Sequence, residues 1–267
     1  MCKRCDRIKL LESKFSGPVF LFASGASSLS FDLGKYANHN FIVVNGAARK
    51  FLQDDRKFFA YVFTDESFVA NSLELIKDCF CLAEFFFMPF EIYKKYLQEA
   101  VQKAGVEQKF FFINRVNRTH GEKCMSDTLF AIKSALDPKL LFDLSLLSAK
   151  KNKIGFSKDL AKGYFGSRTI AHIALQVIYY LGFEKVFLVG VDLSEAAGRF
   201  YDKDTSTALP TSLDKDYERF ILPSFRFMAD RVVDKNFQVY NISEISRLPE
   251  AVVKKIKNQE MEKLLLA

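Results

Sequence analysis

Phosphate binding is the first chemistry that the residue types of this sequence indicate. The segment Ser24-Gly-Ala-Ser-Ser28 follows an apolar run. Gly25 would let backbone N–H groups approach a phosphate at a helix N-terminus, and Ser27 and Ser28 would add hydroxyl donors. An ordinary strand-to-helix turn is the alternative. The segment matches neither GxGxxG nor GxxxxGK[ST], which argues against a nicotinamide dinucleotide and against a nucleoside triphosphate with its magnesium.

A second anion site is predicted where Gly163-Tyr-Phe-Gly-Ser-Arg-Thr169 leads into the strongest helical pattern of the chain. The helix dipole, the hydroxyls of Ser167 and Thr169, and the guanidinium of Arg168 would all favour a negative charge there. His172 lies within the helical pattern on an apolar surface, where we expect a structural role.

Two further segments carry groups that could catalyse a reaction. Asp192 follows the apolar run 186–189, and an aspartate at the end of a parallel strand is suited to catalysis or binding, with capping of the next turn as the alternative. Arg199, Tyr201 and Asp202 lie in a loop that we expect at the same edge, where loops commonly carry function.

Short polar side chains also follow the second and third apolar runs. Asn45, Thr64 and Asp65 could hydrogen bond a ribose or the edge of a base, and helix capping by Thr64 or Asp65 is the alternative. Residues 203–216 are polar, contain a proline and show no clear element. They predict a lid that orders over a bound ligand.

The polar segments fall where apolar runs give way to helical patterns. Such runs predict strands of a parallel sheet buried on both faces, and right-handed crossovers make the sheet doubly wound. Ligands bind such sheets at the carboxyl ends of the strands. We therefore predict a single Rossmann-like α/β domain over residues 1–267, with a mostly parallel sheet and helices on both faces. The predicted strands are residues 19–23, 41–44, 59–63, 80–87, 110–114, 186–189 and 237–240, and the main helices lie near 127–135, 169–181 and 216–233.

The composition is that of an ordinary soluble protein, with 49% hydrophobic and 27% charged residues. No apolar run reaches the ~20 residues of a transmembrane helix, and the N-terminus lacks a signal-peptide core, so we expect a cytoplasmic location. The five cysteines lack the spacing of a zinc site, which predicts free thiols and no bound metal.

The net charge of +7 indicates a polyanionic neighbour, either nucleic acid or an anionic membrane surface. The basic residues form no stripe with interleaved aromatics, so no nucleic-acid partner is predicted. Residues 249–267 are predicted to form a basic helix. This helix could lie on anionic lipid or pack its apolar stripe against the domain.

A family resemblance extends from about Val19 to about Asn241 and is most specific in Arg199-Phe-Tyr-Asp202. Other matching segments are Val43-Val-Asn-Gly46, Tyr61-Val-Phe-Thr-Asp65, residues 155–164, Thr169-Ile-Ala171, Gln176-Val177, Val191-Asp-Leu193, Leu222-Pro223 and Phe227-Met228. In these segments the sequence closely resembles the WaaZ family of lipopolysaccharide core biosynthesis proteins. Members of that family are implicated in adding a third residue of 3-deoxy-D-manno-octulosonic acid (Kdo).

The order of polar segments is more distantly similar to that of the bacterial family 42 sialyltransferases, which bind CMP-sialic acid on a Rossmann-like domain under a lid. The two resemblances together imply a CMP-activated ulosonic acid as donor and no further cofactor. The positions that would hold CMP are Gly25, Ser27, Asn45, Thr64 or Asp65, and Ser167 with Thr169.

The sialyltransferases use a lid histidine as general base, and this chain departs from that pattern. It has only His39, His120 and His172, none of them in the predicted lid. A group other than a lid histidine must then serve as any general base. Asp192 and Asp202 are the first candidates, followed by Glu66 and Asp65.

A transferase of this kind needs cations and hydroxyls at the departing phosphate and a group for the sugar carboxylate. Arg168, Ser167 and Thr169 suit the phosphate, whereas Arg199 and Tyr201 suit the leaving group or the carboxylate. A monophosphate leaving group does not demand a divalent cation, so we predict a metal-independent reaction.

The implied function is transfer of Kdo from CMP-Kdo to Kdo–lipid A or inner-core lipopolysaccharide, by a protein peripherally associated with the cytoplasmic surface of the inner membrane. One alternative is a sialyltransferase-type enzyme with another acceptor. Another is a nucleotide- or lipopolysaccharide-binding protein without activity, because the lid histidine is absent. The sequence leaves open whether the anomeric centre is inverted or retained.

Overall fold

A parallel β-sheet of eight strands organises the computed structural model, which describes residues 5–118, 124–145, 148–201 and 212–266. The strand order is β10-β9-β8-β1-β2-β3-β4-β5, and every neighbouring pair is parallel. A separate antiparallel pair is formed by β6 and β7. The strands are β1 (Pro18–Phe22), β2 (Asn40–Val44), β3 (Phe58–Val62), β4 (Ala83–Met88), β5 (Phe110–Phe112), β6 (Leu140–Phe142), β7 (Gly155–Ser157), β8 (Lys185–Val189), β9 (Gln238–Asn241) and β10 (Lys254–Lys255).

Helices cover both faces of the sheet, as the continuous apolar strands predict. One face packs against α7, α9 and the N-terminal 3₁₀ helix Cys5–Leu11, and the other packs against α1 to α5 and α10. The helices are α1 (Ala48–Gln53), α2 (Glu66–Asn71), α3 (Leu73–Asp78), α4 (Phe90–Ile92), α5 (Gln98–Ala104), α6 (Asp127–Ser134), α7 (Ile170–Leu181), α8 (Leu213–Asp216), α9 (Leu222–Arg231) and α10 (Asn258–Leu266).

Phenylalanine fills much of the space between the sheet and its helices. Successive strand residues alternate between the two faces, so the Phe-rich strands supply rings to both cores. Phe86 of β4 and Phe110 of β5 stack with ring centroids 4.5 Å apart. Phe20 of β1 and Phe41 of β2 stack at 4.9 Å. Cross-strand ring pairs of this kind help to fix the register of neighbouring strands.

The strand order reverses at β1, which pairs with β2 on one side and with β8 on the other. This reversal is a topological switch point. In open α/β sheets the loops on either side of such a point diverge and leave a crevice at the carboxyl ends of the strands, where ligands bind. The predicted polar segments after β1 and β8 flank this crevice.

Residues 113–169, between β5 and α7, form a segment that we call the insertion. It contains α6 and the β6–β7 pair, and it packs on α9 through β7. Because α7 runs antiparallel to the following strand β8, the insertion both leaves and re-enters the main domain at the carboxyl edge of the sheet. The short β6 and β7 strands were not predicted from sequence.

The C-terminal region differs from the single helix predicted over residues 249–267. Lys254 and Lys255 form β10 at the edge of the sheet, and α10 begins only at Asn258. Val253 packs in the core on one face of the sheet and Ile256 packs in the core on the other face. The two residues therefore do not share one helical stripe. Met261 packs α10 onto the domain. Among the described helices, none has both the length and the apolar character needed to cross a bilayer.

Candidate functional site

The turn after β1 comes so close to the turn after β8 that only glycine fits at position 25. A Cβ atom on Gly25 would lie 2.5 Å from both the Asp192 Oδ2 atom and the Gly190 carbonyl oxygen. The Gly25 N–H donates to that carbonyl over 2.9 Å. The close approach makes Gly25 part of the floor of the switch-point crevice.

Asp192 fastens the two sides of the crevice together. Its carboxylate accepts hydrogen bonds from the Ser27 N–H (3.0 Å), the Ser27 hydroxyl and the Ser243 hydroxyl (2.5 Å). The residue is only 2% exposed. Both carboxylate oxygens are therefore engaged within the protein, which favours a positioning role. The catalytic role expected for Asp192 stays a prediction.

Lys50 holds the same turn from the other side. Its ammonium donates to the carbonyl oxygens of Ser28, Leu29 and Phe31 at 2.7–2.8 Å. The Ser28 hydroxyl is buried and donates to the Gly25 carbonyl. Ser28 thus shapes the turn, and its backbone N–H also donates to the Gly25 carbonyl over 3.0 Å.

Residues 199–201, which we call the Arg199 segment, lie across the ends of β1 and β2. The backbones of Arg199 and Gly25 form an antiparallel bridge, and the Phe200 N–H donates to the Ser24 carbonyl over 3.0 Å. The ring of Tyr201 packs directly on Gly46, where a Cβ atom would overlap it. The Arg49 guanidinium lies 5.2 Å from the centroid of this ring. Sequence reasoning missed Arg49, although it lies only four residues after Asn45.

The predicted lid is described only at its C-terminal end. Asp202 and residues 203–211 lie outside the described residues. Ser212 precedes α8, so the end of the segment is helical, contrary to the expectation of no clear element. Arg247 anchors it by pairing with Asp214 and by covering the ring of Tyr217 at 3.8 Å. The backbone N–H of Arg247 also donates to the backbone carbonyl of Asp192, and this bond links the end of the segment to the crevice.

Asn45 brings an unsatisfied amide oxygen to the end of β2. It adopts a left-handed backbone conformation with φ 45°, which asparagine tolerates better than most residues. Its carbonyl accepts from the Tyr61 hydroxyl over 2.7 Å. Its side-chain Oδ1 is buried and has no hydrogen bond partner among the described residues. A buried acceptor without a partner costs about 1–3 kcal/mol, so a ligand donor at this point would be favourable.

Thr64 and Asp65 both lie at the end of β3 but have different partners. Asp65 caps α2 through Oδ1, which accepts from the Ser67 and Phe68 N–H groups at 2.8 and 3.3 Å. This is the capping alternative recognised from sequence. The Thr64 side chain lies beside the phenol of Tyr164, and Arg115 lies next to the same phenol. Burial raises the pKa of Tyr164, so the phenol stays protonated.

The Gly163–Thr169 segment reaches the carboxyl edge of the sheet, which we call the rim, from the side of the insertion. Thr169 caps α7 by accepting from the Ala171 N–H, and Ser167 is buried with its hydroxyl directed to the Thr169 carbonyl. Arg168 is exposed in a left-handed conformation (φ 64°), and its guanidinium lies 5.7 Å from the Phe220 ring centroid. The two hydroxyls serve the local structure, and their contact with a ligand stays a prediction. Arg168 is open to solvent.

Arg115 is a second cation at this rim that sequence reasoning missed. It forms a parallel bridge with Tyr164, and its Nε lies 3.7 Å from the position that a Cβ on Gly166 would occupy. Arg118 is close enough to Tyr164 to affect its titration. The signal was available, because Arg115 immediately follows the predicted strand 110–114.

Gln176 fixes the shape of the Gly163–Thr169 segment from inside the domain. Its Oε1 accepts from the N–H groups of Ser157 and Phe165, and its Nε2 donates to the Phe165 carbonyl over 3.0 Å. His172 lies one turn earlier, with its Nδ1 atom 3.3 Å from the Gln176 Nε2. His172 is fully buried, as expected for a structural residue, and burial lowers its pKa to about 4.

The candidates for a general base differ in how many partners they already have. Glu66 accepts from Lys95 and Tyr96 at 2.7 and 3.1 Å, and these hydrogen bonds lower the pKa of its carboxyl. The Asp65 Oδ2 has no hydrogen bond to a described residue. His39 directly precedes β2, at the amino edge of the sheet, and His120 lies outside the described residues.

The rim as a whole can hold a ligand that carries more than one negative charge. Arg115 and Arg168 lie in the insertion, Arg199 lies in the loop over β1 and β2, and Arg49 lies in α1 beside the Tyr201 ring. Gly25 and Gly46 allow these segments to approach closely, because Asp192 packs against Gly25 and the Tyr201 ring packs against Gly46. In the described ranges, no group of three His, Cys, Asp or Glu side chains is arranged to hold a metal ion.

Known proteins are similar to this chain over nearly its whole length. The family model for 3-deoxy-D-manno-octulosonic acid transferase WaaZ matches residues 2–259. A probable 3-deoxy-manno-octulosonic acid transferase of Escherichia coli K12 is 30% identical over 96% of this chain and 88% of its own length. A protein of the same description from Salmonella typhimurium LT2 is 28% identical over 96% of this chain and 93% of its own length.

A solved structure supports the fold. The MAf glycosyltransferase from Magnetospirillum magneticum AMB-1 superposes with a TM-score of 0.51 and 12% identity, over 93% of this chain and 36% of that chain. At this identity the likeness concerns the fold alone, a parallel α/β sheet with surrounding helices. Together with the family match over nearly the whole length, it completes the identification: this chain belongs to the WaaZ family of 3-deoxy-D-manno-octulosonic acid transferases.

Proposed function

We propose that this protein transfers Kdo from CMP-Kdo to Kdo–lipid A or another inner-core acceptor, with the nucleotide in the switch-point crevice. The observation that carries the proposal is the convergence of independent polar segments on one rim. The turns after β1, β2, β3 and β8 and the start of α7 all meet at the carboxyl ends of the strands. That is the part of a doubly wound sheet where nucleotides bind.

Asn45 supports a cytidine nucleotide in particular. Its buried Oδ1 lacks a donor within the described part of the chain. The N4 amine of cytosine or a ribose hydroxyl could supply one. Uracil carries an oxygen acceptor at the corresponding ring position, so an acceptor in the protein would discriminate against it.

The transfer requires a bond to break at the anomeric carbon and a proton to leave the acceptor hydroxyl. CMP departs with the bonding electrons, and we assign its phosphate to Arg168 and to the N-terminus of α7. Arg199 and Tyr201 would bind the leaving group or the sugar carboxylate. The acceptor oxygen bonds to the anomeric carbon while a carboxylate takes its proton. Asp65 suits this last role among the described candidates because its Oδ2 is not engaged.

The first experiment is calorimetric titration of CMP, with UMP, ADP and NAD as comparisons. We expect Arg168→Ala to weaken CMP binding by about 10- to 100-fold, the usual loss for a charge-assisted hydrogen bond. The matched control is Arg231→Ala, an exposed arginine at the end of α9, which should bind CMP normally. Absence of CMP binding by the unaltered protein would overturn the donor assignment.

Asn45→Ala distinguishes two ways in which Asn45 could contact bound CMP. If Asn45 accepts from the cytosine amine, the variant should lose most of its preference for CMP over UMP. If it accepts from the ribose, binding of both nucleotides should fall by the same factor. Unchanged affinity for both would exclude Asn45 from the site.

A second candidate function uses the same site with another donor. A CMP-sialic-acid-type transferase would bind CMP equally well, so calorimetry with CMP does not distinguish it. Competition between CMP-Kdo and CMP-sialic acid for the protein does, and we expect CMP-Kdo to be preferred. CMP binding without transfer of either sugar would indicate a binding protein. Adding EDTA to the transfer assay tests the predicted metal independence.

A further inference from the structure

The insertion carries most of the net charge of the molecule. Residues 113–169 contain eleven of the 39 Lys and Arg residues but only five of the 32 Asp and Glu residues, a net charge of +6. The rest of the chain has 28 basic and 27 acidic residues and is almost neutral. The pI near 9.0 thus reflects one segment and is not a property of the whole surface.

Each described acidic residue of the insertion has a basic side chain within 4 Å. Lys153 pairs with Asp127 at 3.2 Å, and Lys162 pairs with Asp137 at 2.6 Å. The two other described carboxylates, Asp143 and Asp159, lie 3.7 Å from an arginine and a lysine. In contrast, Arg118, Lys133 and Lys151 make no ion pair with any described residue. The charge left uncompensated on this surface is therefore positive.

Exposed apolar side chains accompany that charge. Leu129 and Ile132 of α6 are 46% and 54% exposed and lie one turn apart on the same face of the helix. Leu136, just after the helix, is 97% exposed. Phe130 and Ala131 anchor the opposite face in the domain. Lys133 is exposed next to Ile132, so the helix presents leucine, isoleucine and lysine together.

This apolar exposure is concentrated in the insertion. Four of the eight large hydrophobic residues exposed in the described structure lie there, although it is about a fifth of the chain: Leu129, Ile132, Leu136 and Leu144. Scattered exposed leucines are ordinary, but a group of them within a strongly basic surface marks an interaction site. Apolar side chains flanked by lysines match the chemistry of an anionic bilayer, with acyl chains below a layer of phosphates.

We propose that the insertion is the membrane-docking surface of this protein. The exposed face of α6 enters the interfacial zone of an anionic phospholipid bilayer, and Lys133, Lys151 and Arg118 contact the headgroup phosphates. This deepens the proposed function, on which its biological meaning rests, because the insertion also carries Arg115 and Arg168. Docking would bring that side of the rim close to an acceptor embedded in the bilayer. The proposal assigns lipid contact to the insertion and not to the basic C-terminal helix, since α10 packs on the domain.

The test is binding of the full chain to vesicles of phosphatidylethanolamine and phosphatidylglycerol, compared with vesicles of phosphatidylcholine, without any nucleotide or acceptor. We expect binding to the anionic vesicles only, weakening as salt is raised. Lys133→Glu with Lys151→Glu should reduce partitioning at least about tenfold, because each lysine near an anionic surface contributes a factor of about five. Leu129→Ser with Ile132→Ser should reduce it to a similar extent.

Two matched pairs control for charge and hydrophobicity alone. Lys94→Glu with Lys103→Glu changes the net charge by the same amount on exposed residues outside the insertion. Ile245→Ser with Leu266→Ser removes two exposed apolar side chains elsewhere, one of them on α10. Both control pairs should bind anionic vesicles as the unaltered protein does. Equal losses in control and test pairs would overturn the assignment of the surface.

Other outcomes would also overturn the proposal. If the unaltered protein does not bind anionic vesicles, the insertion is not a membrane-docking surface. If heparin competes fully and the Leu129 and Ile132 pair binds normally, the surface is a general polyanion site. Thermal unfolding of each variant shows that its fold is intact.

Failure of the docking proposal and failure of the proposed function give different results. Transfer of Kdo to a water-soluble, deacylated acceptor should be unchanged in the docking variants. Vesicle binding without any Kdo transfer would leave the docking surface standing and overturn the transferase assignment. Loss of transfer to the soluble acceptor would place these residues in the site and contradict a docking role.

Discussion

Asp192 occupies the strand end where a catalytic carboxylate would be expected, yet its two oxygens bind Ser27 and Ser243. These bonds join the turn after β1 to the loops after β8 and β9. We expect a carboxylate used in this way to hold the shape of the proposed nucleotide site without touching the reacting atoms. The proposed transfer would then use another group as base, and Asp65 is the candidate because its Oδ2 has no hydrogen bond to a described residue.

Asp192→Asn and Asp65→Asn should therefore have different effects on stability, CMP binding and kcat. Asn at position 192 turns an amide NH₂ toward a donor, which we expect to cost about 1–3 kcal/mol of stability and to weaken CMP binding. Asn at position 65 still caps α2, so stability should be kept, whereas kcat should fall at least about 100-fold. Thermal unfolding, calorimetry and kcat measure the three effects. Normal CMP binding with lost kcat in Asp192→Asn would instead make Asp192 the base.

Tyr201 and Gly46 allow a test of whether the Arg199 segment contacts the donor. Gly46→Ala places a methyl group where the Tyr201 ring lies, so the ring must move. We expect CMP-Kdo binding to weaken roughly tenfold, as in Tyr201→Ala, the loss of about one hydrogen bond. The double variant should be no worse than Tyr201→Ala, because the clash has been removed. Additive losses measured by donor titration would show that Gly46 and Tyr201 act independently.

At the scale of single residues, the sequence predicts where the polar groups gather but not what each one does. Gly25, Asn45, Thr64 and Asp192 all follow strands, so their meeting at one rim follows from the parallel order. Their roles depend on partners that are distant in sequence, such as Ser243 for Asp192 and Tyr164 for Thr64. No local pattern announces those partners.

At the scale of elements, α7 shows how a helix can hold a site through its buried face. Thr169 caps it and Gly182 ends it in a left-handed conformation with φ 100°, so both boundaries follow the ordinary signals. Its interior carries His172 and Gln176, and Gln176 holds the Phe165 backbone from below. The rim segment before α7 is thus fixed by a core side chain.

The buried His172 makes stability depend on pH. Its pKa is about 4 in the fold because of burial, compared with 6.5 as the ordinary value. Between these values the unfolded chain binds a proton that the folded protein does not, so the free energy of unfolding falls as pH is lowered through this window. The loss reaches about 3 kcal/mol at pH 4. Denaturant unfolding at pH 7, 6, 5 and 4 measures it.

His172→Gln should remove most of this dependence, because an amide does not titrate in that range. His39→Gln is the control, since His39 lies at the edge of an aromatic cluster and is half-buried. It should leave the dependence unchanged. An equally steep loss of stability in His172→Gln would assign the effect to other groups.

The elements that sequence reasoning missed are those too short to show a period. β6 and β7 have three residues each, and β10 has two. β10 exists because Lys254 and Lys255 pair with Tyr240 and Asn241 of β9, a tertiary contact that overrides the helical tendency of the segment. The predicted helix near residues 216–233 is present but contains a π-helical turn over Tyr217–Ile221 between α8 and α9.

At the scale of the whole molecule, the fold class was predictable because β1 to β4 and β8 are almost wholly apolar. Strands of that kind must be covered on both faces, which requires helices between them. The strand order and the insertion were not predictable, because neither the position of the reversal nor a 3-residue strand leaves a periodic signal. The uneven charge was visible in the sequence, but its meaning depends on the exposure of α6.

The pairing of β1 with β8 has a consequence for how the chain is made. Val19 pairs with Val186, so the middle of the sheet joins two strands that are far apart in the sequence. During synthesis, β1 to β5 can assemble while one edge of β1 is still open, and that edge is wholly apolar. At about 5–20 residues per second, roughly 4–15 s pass between completion of β5 and of β8. During that interval the future centre of the sheet is an exposed edge, and we expect chaperones to bind the nascent chain there.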